Sequence, residues 1–364
     1  MTAVPGAAPT AVRAAVARSP VPRKQLQRWT AKWGVTLFAL MVVSTFLMPL
    51  AYMAATALKD GSQVTDTSAP LYPAVPATYE WQGTAYPIYE VPDASGVHRW
   101  ALVAAHREDS LFVDPANPDA GTFTWVGRWR TLNQAWEPKL QLGNFATVWD
   151  TISFGRLLFN TFAIAVIGVV GTLVSSAAVA YGFSRFKFPG RNGLFLLLIS
   201  TIILPFQVTL IPTFAVYSKL GWVGTWLPLL VPHFFANAYN VFLLRQYFAT
   251  IPRDLDEAAM IDGASPLRVF LSVIVPQSIP ALVAVGLFHF FWAWNDFLSP
   301  LIYLQGNVDA QPLAVGIAQF NALFSQKPAL IEASAVMALA IPVLIFFFAQ
   351  RAFMRGVVIT GVEK

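Results

Sequence analysis

The chain of 364 residues lacks cysteine altogether and contains only four histidines. Without cysteine there can be no disulfide framework, thiol nucleophile or thiolate metal site. The histidines are widely spaced, and no pair has the spacing of metal ligands; they are His98, His106, His233 and His289. We therefore predict no metal site and no catalytic residues. Charged residues make up 12% of the chain, against about 25% in soluble domains. This scarcity of charge predicts a membrane protein.

Hydrophobic residues make up 56% of the chain and gather in six apolar segments. The first, 33–58, holds no charged residue over 26 positions, which is enough to span a bilayer. A signal peptide is the competing interpretation, but its apolar region would be only about 7–15 residues long. The other predicted membrane helices are 157–183, 194–217, 226–248, 279–303 and 333–350. The predicted fold class is thus an all-α membrane protein with six transmembrane helices.

The lysines and arginines predict the orientation of these helices. They form no stripe with interleaved aromatics, so nucleic-acid binding is not indicated. Instead they lie at the ends of the apolar segments, and their excess on alternate sides places both termini in the cytoplasm. We predict a disordered cytoplasmic N-terminal tail over 1–32, a core of membrane helices over 157–350, and a cytoplasmic C-terminal tail over 351–364.

The segment 59–156, between helices one and two, differs from the rest of the chain. It is rich in aromatic residues, and short β-like runs alternate with turn signals such as Pro92-Asp93 and Ser95-Gly96. We predict a small β-rich extracytoplasmic insert.

The stretch 251–276, between helices four and five, concentrates charge. Asp254 with Glu257 three residues later forms a capping-box pattern. Gly263 suits the residue after a helix, and Ser265-Pro266 suits the start of a second one. The acidic start does not suit an anionic membrane surface, and no basic helix is present to read DNA. A surface that docks on a soluble cytoplasmic partner remains.

The residues "EAAMIDGASPLRVFLSVIVPQSIP", 257–280, closely resemble the EAA loop of ABC-importer permeases. Other stretches resemble the carbohydrate-import permeases of the MalG type; among them are "AYGFSRFKFPGR", "WNDFLSPLIYL" and "AQRAFMRGVVITGVEK". The resemblance covers about 144–364 and the first helix, whereas the long insert departs from the family pattern. It implies the MetI-like ABC permease fold and a multi-pass protein of the bacterial cytoplasmic (inner) membrane.

The resemblance implies a coupling role for the EAA loop. In this family the loop sits in a cleft of a separate ATPase subunit and transmits its motion. The implied coupling residues are Glu257, Ala258, Ala259, Asp262, Gly263, Ala264, Leu267 and Phe270. Leu267 and Phe270 would fill the partner's groove. The implied partners are a second, MalF-like permease subunit, an ATPase dimer, an extracytoplasmic sugar-binding protein and the lipid bilayer. ATP and magnesium would bind to the ATPase, so no cofactor is predicted on this chain.

Polar residues inside the apolar segments are candidates for a sugar path. His289, Trp292 and Asp296 share one predicted helix face, and Asn295 and Asn237 could join them. An equally open alternative is that Asp296 caps or pairs at the membrane interface. In the loop 305–328, which corresponds to the loop that reaches the binding protein in the MalG type, the candidate contacts are Gln311, Gln319, Asn321 and Gln326.

Two other classes of protein fit less well. A stand-alone secondary transporter or channel would need a coupling-ion site, for which the membrane segments offer few ionisable groups. A membrane enzyme would need a Ser/His/Asp set, a metal cluster or a P-loop, and none is present in the sequence. The substrate is not identified by the sequence: sugar is implied by the resemblance, and glycerol-phosphate importers share the pattern.

Overall fold

The computed structural model describes the backbone of residues 23–322 and 325–358, and the side chains of 29–320 and 327–350. The chain divides into two compact units, Met1–Tyr52 and Met53–Lys364. The first contains most of α1 (Arg23–Ala57), whose apolar stretch Trp29–Ala57 is long enough to cross a membrane. Residues 23–32 are therefore helical, although the sequence predicted a disordered tail as far as residue 32. Residues 1–22 and 359–364 lie outside the described part of the chain.

A β-sheet insert follows α1 and the short helix α2 (Gly61–Thr65). Its strands are β1 (Ala74–Pro76), β2 (Thr78–Trp81), β3 (Thr84–Asp93), β4 (Gly96–Ala104), β5 (Asp109–Val113), β6 (Thr122–Val126), β7 (Asn133–Gln134) and β8 (Trp136–Pro138). The main sheet has the antiparallel order β2-β3-β4-β5-β6, and β7 pairs with β3. One face carries an aromatic core around Phe112 and Leu102.

The two ends of the insert are joined by a separate pair of strands. β1 and β8 are antiparallel, with Pro76 opposite Trp136. The amide of Ala77 also donates to the Ala135 carbonyl at 2.8 Å. The chain thus leaves the helical part and returns to it at nearly the same point, which makes the insert a closed module.

The helical part begins with α3 (Gly143–Thr151) and the long helix α4 (Phe154–Arg185). Helix α4 packs against two later helices, α8 (Ala238–Thr250) and α12 (Ile279–Trp294). Next come α5 (Arg191–Ser200) and α6 (Phe206–Lys219), which are bent by 98° relative to each other. The sequence predicted one helix over 194–217. The chain instead breaks at Leu204, whose backbone is extended, because the ring of the following proline disfavours a helical residue before it.

The remaining helices are α7 (Leu227–Leu230), α8 (Ala238–Thr250), α9 (Asp254–Ile261), α10 (Pro266–Val269), α11 (Val275–Gln277), α12 (Ile279–Trp294), α13 (Leu298–Tyr303), α14 (Leu313–Ala318) and α15 (Pro328–Val358), with the short strands β9 (Asn321–Ala322) and β10 (Ser325–Gln326). A π-turn over Phe270–Ile274 joins α10 to α11. A buried cluster that includes Ala177, Val241, Phe248 and Ile274 ties α4, α8 and the end of the α9–α11 region together.

The number of helices that could cross a membrane can be compared with the six that the sequence predicts. Four helices among the described residues are long and apolar enough to cross a membrane. The number rises to six if each of two bent pairs, α5–α6 and α10–α12, counts as one span.

Candidate functional site

The helix α9 and the turn after it form the charged loop singled out in the sequence. Asp254, Asp256 and Glu257 lie in the first turn of α9, where negative charge is favoured by the helix dipole. The N-cap position belongs to Arg253, not to the predicted Asp254, and no side chain caps the helix. The capping-box prediction is therefore not matched, because the helix begins with Asp254 already in helical conformation.

Gly263 ends α9 as predicted. Its φ of +84° is left-handed, a conformation that glycine adopts without strain. The amide of Gly263 donates to the Met260 carbonyl at 3.0 Å, and that of Ala264 donates to Ala259 at 2.9 Å. Ser265 then caps α10 by accepting from the Arg268 amide at 3.4 Å. The result is two short helices joined by one tight glycine turn.

One side of this loop is open and partly apolar. Glu257, Ala258, Asp262 and Gly263 are exposed, and Ala259 and Ala264 are half-buried. Four large apolar side chains of the same loop are also exposed in the described part of the chain: Leu255, Met260, Ile261 and Leu267, with Ile261 85% exposed. We call this side the α9 surface. An exposed apolar patch rimmed by charge is typical of a protein–protein contact.

Phe270 does not belong to the α9 surface. Its ring packs against Tyr181 of α4 at a centroid distance of 4.8 Å and joins the buried cluster between α4 and α8. The prediction that it fills a partner's groove is therefore replaced by an internal packing role, because the apolar face of this part of the loop turns toward α4.

A buried ion pair joins α9 to the end of α4. The Nε of Arg185 lies 2.8 Å from an Oδ of Asp256, and the two side chains are only 6% and 10% exposed. Burial raises the pKa of Asp256, and the guanidinium groups of Arg185 and Arg253 partly offset that rise. Neither residue was singled out from the sequence.

Besides this ion pair, three hydrogen bonds strengthen the same junction. Arg185 Nη2 donates to the Ile251 carbonyl at 3.0 Å, and Arg253 Nη2 donates to the Ser184 carbonyl at 3.4 Å. The Tyr181 hydroxyl donates to the Pro266 carbonyl at 3.0 Å. The loop is thus fixed to α4 on its inner side, while its outer side is free to bind.

A cluster of aromatic side chains lies farther along α4. The rings of His233 and His289 are 4.4 Å apart, and each is 5.7 Å from Trp292. Gly168 makes room for them, since a Cβ there would lie 2.6 Å from His289 Nε2. The Thr172 hydroxyl is 3.3 Å from His289 Nδ1.

His233 and Trp292 separate two cavities. The first, of about 380 Å³, is lined also by Asn237, Tyr239, Asn240, Phe288 and His289. The second, of about 200 Å³, is lined by polar groups that include Asp296, Thr213, Ser299 and Tyr303. The structure thus distributes most of the predicted path residues over two neighbouring cavities, each mainly apolar with a few polar groups.

A comparison with known families identifies this arrangement. The family model for binding-protein-dependent transport system inner membrane components matches residues 171–358. The chain belongs to this family. It has the mostly helical, MetI-like fold of ABC permeases and is a membrane-spanning permease subunit of an ATP-binding-cassette importer.

Two curated relatives and one solved structure are similar to the permease. The osmoprotective compounds uptake permease protein GgtD of Synechocystis sp. is 35% identical over 262 residues, which cover 70% of this chain and 86% of GgtD. The alpha-glucoside transport system permease protein AglG of Rhizobium meliloti is 30% identical over 235 residues, 62% of this chain and 61% of AglG. A bacterial ABC transporter involved in the import of the acidic polysaccharide alginate aligns at a TM-score of 0.62 and 19% identity, covering 93% of this chain and all of that chain, and shows the fold alone.

Three of the predicted path residues have local structural roles in the permease. Asn237 caps α8 by accepting from the amides of Tyr239 and Asn240. Asp296 accepts from the Ser299 amide at 3.2 Å at the start of α13, which matches the capping alternative, although it also lines a cavity. Asn295 donates to the Phe291 carbonyl of its own helix end at 2.8 Å and lines neither cavity.

The predicted binding-protein contacts lie in different parts of the loop 305–328. Gln311 is half-buried, and its carbonyl accepts from Asn160 Nδ2 at 2.9 Å. Gln319 is exposed at the end of α14. Asn321 and Gln326 pair as backbone across β9 and β10, and their side chains lie outside the described part.

The sequence did not predict the Arg185–Asp256 pair or the contact between the His233 and His289 rings. A signal was available for the first, because Arg185 closes a long apolar segment and Asp256 adds a third acid to a helix start. No spacing rule, however, connects the two positions.

Proposed function

We propose that this permease imports a sugar and that its α9 surface docks on a separate ATPase subunit. The observation that carries the docking proposal is the exposure of Glu257, Ile261 and Leu267 on one side of a loop whose other side is fixed to α4. The sugar assignment is supported by the likeness to the alpha-glucoside permease AglG. No metal or cofactor is assigned to this chain, and ATP and magnesium belong to the ATPase.

The geometry supplies a mechanical route for coupling. A force applied to the α9 surface passes through the Arg185–Asp256 pair and the Tyr181–Pro266 hydrogen bond into the end of α4. Because α4 packs against α8 and α12, a movement of α9 would shift the helices that border both cavities. Closing and reopening of the ATPase would thereby change the sugar path.

The topology follows from the same assignment. The α9 surface must face the cytoplasm, where the ATPase lies, so both termini are cytoplasmic and the β-sheet insert is extracytoplasmic. An extracytoplasmic sugar-binding protein would deliver the sugar to the opposite face, near the loop that contains Gln311 and Gln319. A second, MalF-like permease subunit would complete the pathway.

The sugar path itself would run through the two cavities that share His233 and Trp292. Their linings combine aromatic surface with hydroxyl, amide and imidazole groups, the combination expected for an orienting polar site in an apolar pocket. Asp296 and His289 would act as path residues, and Asn295 would not.

Charge reversal at Glu257 tests the docking proposal. Glu257 would pair with a basic residue in the cleft of the ATPase. We expect Glu257→Lys to uncouple the reconstituted complex, because breaking a desolvated charge pair at an interface costs about 2–5 kcal/mol. Transport should fall at least tenfold, and substrate-stimulated ATPase activity should fall with it. Gly263→Pro should act likewise, since proline cannot adopt the left-handed φ at that position.

Glu80→Lys is the matched control, because Glu80 is an exposed acid on β2, away from the loop. It should leave both rates unchanged. Wild-type transport and ATPase rates in Glu257→Lys and Gly263→Pro would refute the docking assignment.

A further inference from the structure

A large polar cavity lies on the β-sheet insert, away from the α9 surface and the helical cavities. It has a volume of about 690 Å³ and is formed by two segments, 105–107 after β4 and 128–131 after β6. Pockets that hold small organic ligands typically measure about 300–1,000 Å³. The size of this cavity therefore suits a small ligand rather than the flat surface of a folded partner.

The cavity is positively charged within an acidic part of the chain. Residues 59–156 contain seven lysines and arginines against eleven acidic residues, yet Arg107, Arg128 and Arg130 all line the cavity. In the part of the chain that the structure describes, no acidic side chain lines the cavity, although Glu108 and Asp109 follow on the same hairpin. Among the described residues, none of the three guanidinium groups forms an ion pair. Three arginines without ion-pair partners in the described part thus line one cavity of an otherwise acidic segment. This arrangement favours the binding of a negatively charged ligand.

Hydrogen bonds hold the two walls of the cavity in a fixed relation. The Gly127 amide donates to the Glu108 carbonyl at 2.7 Å, which links the end of β6 to the β4–β5 turn. The fully buried Ser110 hydroxyl donates to the His106 carbonyl at 3.3 Å. On the other wall, a tight turn is closed by the bond from the Leu132 amide to the Trp129 carbonyl at 3.0 Å.

Aromatic packing fixes the floor of the cavity. The Trp129 ring packs edge-on against Tyr89 of β3 at 5.9 Å, and the Arg130 guanidinium lies over Trp129 at 5.4 Å. A guanidinium stacked on an indole keeps its in-plane N–H groups available for an oxyanion. The floor therefore holds one guanidinium group in place beside the aromatic core of the sheet.

We propose that this cavity binds a small organic anion, a carboxylate or phosphate group on a hydroxylated carrier of sugar size. Arg107, Arg128 and Arg130 would bind the anionic oxygens, because the guanidinium fork matches carboxylate and phosphate geometry. Trp129 would hold the Arg130 guanidinium in position through the cation–π contact. The ligand comes from the solution or from the headgroup of a phospholipid, since both present the same chemistry. This site does not depend on the sugar-import proposal.

Binding to the full-length permease complex in nanodiscs tests this assignment. Glucuronate and inorganic phosphate are titrated calorimetrically without ATP, with glucose as the neutral probe of matched size. We expect glucuronate and phosphate to bind and glucose to bind at least tenfold more weakly. Arg128→Gln and Arg107→Gln should each raise the dissociation constant about tenfold, because each removes a charge-assisted hydrogen bond.

Arg99→Gln is the control, because Arg99 is also an exposed arginine of the same sheet but pairs with Glu90 at 3.6 Å, outside the cavity. Glucose and glucuronate binding equally, or Arg99→Gln weakening binding as much as Arg128→Gln, would overturn the proposal.

Nanodiscs of phosphatidylglycerol and of phosphatidylcholine distinguish the two sources of the ligand. If glucuronate binds more weakly in phosphatidylglycerol than in phosphatidylcholine, and Arg128→Gln removes that difference, the ligand is a lipid headgroup. If glucuronate binds equally in both lipids, the ligand is a soluble anion. Thermal unfolding of every variant confirms that the sheet is intact.

Discussion

Asp256 and Arg185 form the contact on which the position of the coupling loop depends most. Both are almost fully buried, and each faces the other at 2.8 Å. Removing one member of a buried ion pair leaves the other charge without compensation, which is far more destabilising than losing an exposed pair. The exposed acids of α9 and this buried one therefore have different roles, although they are neighbours in the sequence.

Asp256→Asn should weaken the attachment of α9 to α4. We expect a loss of about 3–5 kcal/mol in local stability, because the Arg185 guanidinium would remain buried without a counter-charge. In a reconstituted importer, transport should fall while basal ATPase activity persists. Hydrogen exchange of the α9 amides measures the loosening directly.

The exchanged pair Asp256→Arg with Arg185→Asp is the informative control. It keeps both charges in the junction and should recover part of the lost protection, as a double-mutant cycle detects. If the exchange and the single substitution were equally damaging, and Asp254→Asn on the exposed side matched them, the pair would have no special part in positioning α9.

At the scale of elements, glycines on α4 allow side chains of neighbouring segments to pack closely against this helix. Gly168 accommodates the His289 ring and Gly171 accommodates Phe234, since a Cβ at these positions would come within 2.6 Å and 2.8 Å of those rings. Gly182, near the end of the same helix, has no such neighbour among the residues that the structure describes. Glycines on one helix thus differ in role: Gly168 allows a close approach of the His289 ring, and Gly182 does not.

Gly168→Ala should lower the stability of the permease by about 1–3 kcal/mol, the usual effect of overpacking. The added methyl would displace His289 and disturb both cavities, so the apparent affinity for the transported sugar should fall as well. A fluorescence melting curve in detergent and an uptake assay measure the two effects.

Gly182→Ala provides the comparison on the same helix. Without a close neighbour, it should raise helix stability by about 0.5–1 kcal/mol, since alanine restricts the unfolded chain more than glycine does. Similar melting temperatures for the two variants would show that the close approach at Gly168 is unimportant.

At the scale of the whole molecule, the features that could be predicted from sequence are those whose signals are local. The α9–Gly263–α10 unit follows from acidic residues, a glycine and a Ser-Pro pair within a short stretch. The Arg185–Asp256 pair and the His233–His289 contact could not be predicted, because each joins residues from distant segments. The break at Pro205 was also missed. Pro212 sits inside an intact α6, so proline alone does not tell which position interrupts a helix.

The closed β1–β8 pair predicts that the insert can be removed. We expect a permease in which an Asn-Gly turn replaces residues 77–135 to fold, because Pro76 and Trp136 already face each other and Asn-Gly favours a tight hairpin. The complex should assemble with its ATPase, as size-exclusion chromatography detects. A variant that deletes 65–135 removes β1 and is the contrasting case. Aggregation of both variants alike would mean that the insert supports the helical part.

The 98° angle between α5 and α6 has a consequence for the lipid surroundings. With 14 residues, α6 is about 21 Å long at 1.5 Å per residue, well short of the roughly 30 Å of hydrocarbon in an ordinary bilayer. A helix that cannot span this thickness alone thins the bilayer around it at an energetic cost. Transport in nanodiscs should therefore be faster in dimyristoyl than in dioleoyl lipids, and Pro205→Ala should reduce that difference. Equal rates in both lipids would show that the permease does not sense membrane thickness through this bend.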